Sequence, residues 1–136
     1  MRGISPKAVL LATLAVFGID FVSALGLVGV YGIPLDGTDE ELRAAVLALN
    51  QNRGFLTALL LLGTASTVVG GYIVARLAQS VPYFNALAFA TLGIVLNALM
   101  SGDLPTWFVG VGLAVTIPAA LLGAYVYKRQ HSTGAG

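Results

Sequence analysis

Four long apolar stretches, separated by short polar breaks, dominate the chain. Residues 8–31 are interrupted by one charge, Asp20, and residues 54–75 carry none. Further apolar stretches follow at 83–101 and 104–127. A helix needs roughly 20 apolar residues to cross the hydrocarbon core of a bilayer, which is about 30 Å thick. The pattern predicts an all-α bundle of four transmembrane helices in a single membrane domain over residues 1–136, with spans at about 8–31, 54–78, 83–101 and 104–127.

A different periodicity marks the segment between the first two spans. Thr38 and Glu41 have the spacing of a capping box, in which each side chain bonds the other residue's backbone N–H at a helix start. Apolar residues then recur on one helix face, at Leu42, Ala45, Val46 and Leu49. This pattern predicts a short amphipathic helix at 39–49 on the outer membrane surface. Its apolar face either caps the bundle, which we favour because such stripes usually face a core, or serves as a lid or docking surface.

The amino-acid composition supports a membrane location and narrows the classes of function. The 136 residues are 57% hydrophobic and 10% charged, and the mean hydropathy is +0.89, whereas soluble domains carry about 25% charged residues. These values exclude an ordinary soluble domain. The formal net charge of +1 leaves no basic excess for binding nucleic acid. The chain has no cysteine, which excludes disulfides, thiolate metal sites and cysteine nucleophiles.

The charges outside the spans fall into two groups that predict the orientation. The breaks on one side of the bilayer hold only basic residues, and the breaks on the other hold the acids with two basic residues. Lys and Arg in short loops stay on the cytoplasmic side. We therefore expect a multi-pass protein of the cell membrane, inner or plasma, with both termini cytoplasmic. The groups are Arg2, Lys7, Arg76, Lys128 and Arg129 inside, and Asp36, Asp39, Glu40, Glu41, Asp103, Arg43 and Arg53 outside.

The two ends of the chain need separate interpretation. Arg2 and Lys7 precede an apolar core, and Val22-Ser23-Ala24 is a passable cleavage site, so the first span also has features of a secretory signal peptide. The apolar run continues unbroken to Tyr31, which favours a retained span. The small polar residues 130–136 are expected to be disordered.

Asp20 is the residue that bears most directly on function, because it lies near the bilayer midplane. An acid at the centre of a membrane helix costs about 2.5–3.5 kcal/mol on insertion scales, so it should face the bundle interior. Either it forms a polar layer with neighbouring hydroxyls that fixes the register of the helices, or it carries protons in a transport pathway. We favour the structural role, because one acid without a second ionisable group makes a poor proton relay. Hydroxyls at the same depth are Thr64, Ser66, Thr67, Thr91 and Thr116.

Small residues recur every four positions on the second and fourth spans. In lipid, helices associate through close packing, and such rows are the expected contact surfaces. They can pack within one chain or between chains. Gly18 and Gly26 give the first span a similar face. The predicted helix-packing residues are Gly63, Gly71 and Ala75 on the second span, and Gly112, Ala120 and Ala124 on the fourth.

One local motif supports a family resemblance. The second span ends Gly70-Gly71-Tyr72, followed by Ala75-Arg76. With a polar residue in the first span and an acidic outer segment, this ending resembles small four-helix prokaryotic membrane proteins of unknown function. The resemblance implies the topology and assigns no functional residue. The fourth span ends similarly, at Gly123-Ala124-Tyr125, which raises the hypothesis of a duplicated helical hairpin.

No catalytic set is recognisable in the sequence. Metal-ligand spacing, a phosphate-binding loop and a nucleophile–base pair are all absent, so we expect neither an enzyme nor a cofactor. We expect a non-enzymatic accessory subunit or self-associating structural component, packed through its small-residue faces in a larger membrane complex or homo-oligomer. The alternative is a proton-coupled small-solute transporter with Asp20 as the carrier site.

Overall fold

The computed structural model describes residues 3–33, 36–100, 102 and 104–133. These residues form five helices, and four of them, α1, α3, α4 and α5, are long and apolar enough to cross a membrane. The predicted all-helical architecture, with four helices long and apolar enough to cross a membrane, is therefore confirmed. The helices are α1 (Pro6–Tyr31), α2 (Asp39–Leu49), α3 (Arg53–Ala78), α4 (Pro82–Met100) and α5 (Thr106–Thr133).

The four long helices form a bundle in which consecutive spans run in opposite directions. Helix α3 is central and contacts α1, α4 and α5, while α4 also packs against α1 and α5. The Ser5 backbone N–H donates to Asn85 Oδ1, which joins the start of α1 to the start of α4. The Tyr72 and Tyr127 rings meet edge to face, joining the last turns of α3 and α5. We call this end of the bundle, where α1 begins and α5 ends, the terminal half, and the opposite end, with α2, the loop half.

The last helix is longer than the sequence predicted. Helix α5 begins at Thr106 and continues to Thr133, so the expectation of disorder from residue 130 was wrong for residues 130–133. Side-chain contacts extend the helix beyond the apolar run: the Tyr72 hydroxyl donates to Gln130 Oε1, and the His131 ring stacks on Tyr127. Residues 134–136 lie outside the described part of the chain.

The terminal half is closely packed because its facing residues are small. Its buried core consists mainly of alanines and valines with one aromatic ring, that of Phe89. A Cβ atom at Gly71 would lie 2.8 Å from the carbonyl carbon of Ala120, and one at Gly123 would lie 2.6 Å from the backbone nitrogen of Tyr72. Real Cβ atoms do not approach so closely. Helices α3 and α5 are therefore in direct backbone contact here.

A buried amide braces the connection between α3 and α4. Asn85 is fully buried; its Oδ1 accepts from the Ser5 N–H at 2.7 Å, and its Nδ2 donates to the carbonyls of Ser80 and Val81. Val81 has a positive φ of 36°, which is unfavourable for a β-branched residue. Asn85 thus holds a strained turn and the start of α1 together.

Helix α2 has a complete capping box between Thr38 and Glu41. Its apolar stripe is unevenly covered. Leu49 is buried in a small cluster with Phe55 and Leu56, whereas Val46 is 42% exposed. The end of α2 is therefore anchored to the bundle, and its middle is less covered.

Candidate functional site

A cavity of about 250 Å³ lies between α1, α3, α4 and α5 in the loop half of the bundle. Its wall combines apolar side chains with a group of polar ones that come from all four helices. The polar lining residues are Asp20, Thr64, Thr67, Asn97 and Thr116. Asp20, Thr64, Thr67 and Thr116 are four of the six residues that the sequence analysis placed in a midplane polar layer.

Asp20 enters the cavity from α1. Among the described polar residues of the wall, it is the one whose side chain forms a hydrogen bond with another helix. Its Oδ1 accepts from Ser66 Oγ at 2.5 Å. Ser66 is buried on α3, and its Oγ also lies 2.9 Å from the carbonyl oxygen of Gly63. Asp20 itself is exposed, so it faces the cavity rather than the packed core. Among the described residues, no side chain donates to its second oxygen, Oδ2.

The three threonines of the cavity donate their hydroxyl protons to their own helices. Thr64 bonds the carbonyl of Leu60 at 2.7 Å, and the other two bond the glycine carbonyls one turn earlier. Because a carbonyl oxygen can only accept a hydrogen bond, each hydroxyl must be the donor. Its proton is then used, so the hydroxyl oxygen can only accept a hydrogen bond from a ligand in the cavity. The threonines therefore present acceptors and do not bond one another across the bundle.

Asn97 belongs to the cavity and was missed by the sequence analysis, which counted only hydroxyls at the depth of Asp20. Its Nδ2 donates one of its two protons to the carbonyl of Gly93 at 2.9 Å, so its Oδ1 and its second N–H are left for a ligand. The available signal was an amide inside the apolar α4 sequence, a residue type that membrane helices use for polar contacts.

Thr91 is not part of this site. It is exposed, its hydroxyl donates to the carbonyl of Leu87, and it lines a shallow surface groove beside Phe84 and Val95. The position of a residue along α4 does not indicate the direction of its side chain.

The cavity is closed towards the terminal half. One turn beyond Thr67, a Cβ at Gly70 would overlap the Val16 and Phe89 side chains. On α5, Ala120 follows Thr116 by one turn and is fully buried. The polar groups therefore lie on a floor of tightly packed small residues.

The predicted helix-packing residues separate into two sets. Gly71, Ala75, Ala120 and Ala124 are buried in the terminal half, where α3 meets α5 within the chain. Gly63 and Gly112 line the cavity instead, and a Cβ at either would meet nothing within 4 Å. The same two rows of small residues thus form a tight contact at one end and a cavity wall at the other.

No basic side chain lines the cavity from the part of the chain that the structure describes. Arg76 follows Ser66 by ten residues on α3, which corresponds to about 15 Å along a helix axis. Arg76 therefore lies far from Asp20, towards the terminal end of the bundle, and its side chain is exposed there. The described residues also contain no cluster of three or more His, Asp or Glu that could hold a metal ion.

Comparisons with known proteins identify no relative: no family model matches the chain, and no curated protein or solved structure is significantly similar to it. Function must therefore be inferred from the cavity and the surfaces of the bundle.

Proposed function

We propose that this protein is a non-enzymatic membrane transporter that binds a small solute in the loop-half cavity and carries it across the bilayer in exchange for, or together with, a proton on Asp20. The observation that supports this proposal is a polar cavity, entered by a carboxylate, inside an otherwise apolar bundle. Ionisable residues inside membrane helices most often mark substrate or proton pathways.

The hydrogen bonding favours this role over a purely structural polar layer. A layer that fixes helix register needs hydrogen bonds between helices. Among the described residues at the cavity, the Ser66–Asp20 bond is the one that joins two helices, whereas Thr64, Thr67 and Thr116 bond their own backbones. The remaining acceptor atoms point to a ligand rather than to a neighbouring helix.

The positive-inside rule gives the proposed orientation. With both termini cytoplasmic, the cavity belongs to the outer half of the cell membrane, α2 lies on the outer surface, and the packed terminal half separates the site from the cytoplasm. Transport then requires the terminal half to open. Apart from Asp20, no titratable side chain lines the cavity from the described parts of α3, α4 and α5, so proton coupling rests on Asp20 alone.

Proteoliposomes with a pH-sensitive dye in the lumen test transport. A pH gradient is imposed, and single solutes are added from a panel of organic cations, neutral polar molecules and anions. We expect at least one class to change the luminal pH with wild-type protein and to have no effect with Asp20→Asn. Thr91→Val, outside the cavity, is the matched control and should behave as wild type. If no class changes the pH beyond that of empty liposomes, the transport proposal fails.

A second candidate is the accessory or self-associating role expected from the sequence. An uncovered face in the loop half of α1 favours this role. A Cβ atom added at Gly18, Gly26 or Gly29 would meet nothing within 4 Å. Val22 and Val30 are 68% and 80% exposed. A glycine-bearing helix face of this kind can dock another membrane helix. Mass determination of the complex extracted gently from native membranes tests this role. A companion chain in fixed ratio supports it, and a lone monomer contradicts it.

A further inference from the structure

The cavity also indicates the chemical class of its ligand, an inference that rests on the proposed role of the cavity as a solute site. We propose that the site takes a small primary ammonium ion with a short apolar body, held by Asp20 through its ammonium group. Three independent properties of the wall lead to this class: its hydrogen-bonding capacity, its charge and the arrangement of its polar and apolar parts.

The described wall offers more side-chain acceptors than donors. The hydroxyl protons of Thr64, Thr67 and Thr116 are already given to backbone carbonyls, and so is one of the two amide protons of Asn97, whose second proton is the one side-chain donor left. Asp20 Oδ2 has no donor among the described residues. An ammonium group carries three donors and no acceptor, which complements such a wall. A ligand rich in acceptors would find few partners and would lose its own hydrogen bonds to water.

The charge of the wall excludes anions. Asp20 is the one ionisable residue that lines the described cavity, and no Lys, Arg or His accompanies it. A carboxylate and a cation attract strongly where water is scarce, and a hydrogen bond between charged groups is stronger than one between neutral groups. A second carboxylate in this space would be repelled by the first.

The polar and apolar parts of the wall lie at different depths. Along α3, Leu59 and Leu60 precede Thr64 and Thr67; along α5, Phe108 precedes Thr116. Because both helices run from the loop end inwards, the threonine hydroxyls lie deeper than these apolar side chains. Asn97 is the exception among the polar residues, since it lies three residues before the loop end of α4. A volume of about 250 Å³ exceeds the share of a single water molecule, about 30 Å³, several-fold. The space therefore fits an ion with an alkyl body better than a bare ion.

Direct binding to protein in zwitterionic lipid nanodiscs tests the ligand class. The probes are n-butylammonium, n-butanol and butyrate, which share a chain and differ in the head group. Bound probe is measured by equilibrium dialysis and mass spectrometry at pH 7, with empty nanodiscs as the blank. We expect n-butylammonium to bind at least about tenfold more tightly than n-butanol, equivalent to about 1.4 kcal/mol, and butyrate not to bind.

Variants assign the binding to the cavity. Asp20→Asn should weaken n-butylammonium binding at least about tenfold, because the charged acceptor is lost. Thr67→Val removes an acceptor and should weaken n-butylammonium binding less than Asp20→Asn does. Thr67→Ser keeps the hydroxyl and should bind n-butylammonium as the wild type does. Thr91→Val, outside the cavity, should have no effect. Size-exclusion profiles and thermal unfolding confirm that each variant is folded, and the Thr67 pair keeps the test decisive if Asp20→Asn is unstable.

The outcomes separate this inference from the transport proposal. Preferential binding of n-butanol or butyrate that depends on Asp20 overturns the ammonium class and leaves a solute site in place. The inference is also overturned if none of the three probes binds. It is overturned as well if n-butylammonium binding is unchanged in both Asp20→Asn and Thr67→Val. Asp20-dependent n-butylammonium binding without any luminal pH change in proteoliposomes supports the ligand class and contradicts transport.

Discussion

The same helices form a packed interior in the terminal half of the bundle and a cavity in the loop half. In the terminal half, Gly71 and Gly123 bring α3 and α5 into backbone contact, and the core is filled. In the loop half, Gly63 and Gly112 continue the same rows, yet a Cβ at either would meet nothing within 4 Å, and a cavity lies between the helices. A row of small residues therefore permits close helix packing without enforcing it.

The difference between the halves lies in what their neighbouring residues do. Around Gly70 and Gly71, the neighbouring helices insert Val16, Phe89 and the Ala120 backbone into the space that a side chain would take. Around Gly63, the neighbours are Asp20 and hydroxyl-bearing residues that leave acceptor atoms facing the gap. The terminal half is built for packing, and the loop half leaves room for a ligand.

A methyl group added in the terminal half should cost far more stability than one added in the loop half. Gly71→Ala should destabilise the protein by about 2–3 kcal/mol, because the new Cβ overlaps the Ala120 backbone, which cannot move without shifting α5. Gly112→Ala should lie between neutral and about 1 kcal/mol stabilising, because alanine favours helix and the site is open. Unfolding by sodium dodecyl sulfate in mixed micelles measures both. Equal costs for the two variants would contradict the contrast between the halves.

Two asparagines of α4 should differ in how much they contribute to the stability of the protein. Asn85→Ala should cost about 2 kcal/mol, because it leaves the Ser5 N–H without its buried partner and removes the brace of the strained turn at Val81. Asn97→Ala, at the cavity, should change stability by less than about 0.5 kcal/mol. The same unfolding assay compares them. A larger loss for Asn97→Ala would mean that the loop half, too, depends on buried polar contacts.

Replacing the carboxylate should separate stability from function. Asp20→Asn keeps an oxygen that can accept from Ser66, so the free energy of unfolding should change by less than about 1 kcal/mol. Solute-driven luminal pH changes should nevertheless be lost. Ser66→Ala, which removes the donor and leaves the carboxylate, should keep measurable transport. A severe loss of folding in Asp20→Asn would favour the structural polar layer instead.

The smallest effect concerns α2. Thr38→Ala removes one half of the capping box and should destabilise α2 locally by about 1 kcal/mol. Hydrogen exchange should quicken at the amides of the first turn, including that of Glu41, and stay unchanged in α3. If exchange in α3 also quickened, α2 would be a structural part of the loop half rather than a cover at its edge.

The membrane helices could be predicted from the sequence because their signal is local. Twenty or so apolar residues in a row specify a spanning helix whatever surrounds it, and the cap at Thr38 depends only on residues three apart. The extension of α5 to Thr133 could not be predicted this way, because it depends on contacts with Tyr72, a residue far away in the chain.

The sequence indicates where a side chain lies along each span but not which way it points around the helix. Asp20, Thr64 and Thr116, which it places at one depth, line one cavity. Which side of a helix faces a gap depends on the rotation of that helix against its neighbours, and apolar residues all round a membrane helix carry little information about it. Thr91, which the sequence groups with Asp20, therefore lies outside the cavity, and Asn97, which it does not, lines the cavity.

The proposed function requires a water-filled polar cavity that enters the loop half and stops at the packed terminal half. The chain has no native cysteine, so single cysteines can be placed at Thr116 in the cavity, at its neighbour Ile117 on the exposed surface, and at the buried Ala120. The rate of reaction with a charged methanethiosulfonate reagent is measured in nanodiscs, since only a hydrated thiol ionises and reacts readily. Thr116→Cys should react at least about tenfold faster than the other two, which corresponds to about 1.4 kcal/mol. Equal rates at Thr116→Cys and Ile117→Cys would contradict a hydrated cavity, and with it the proposed function.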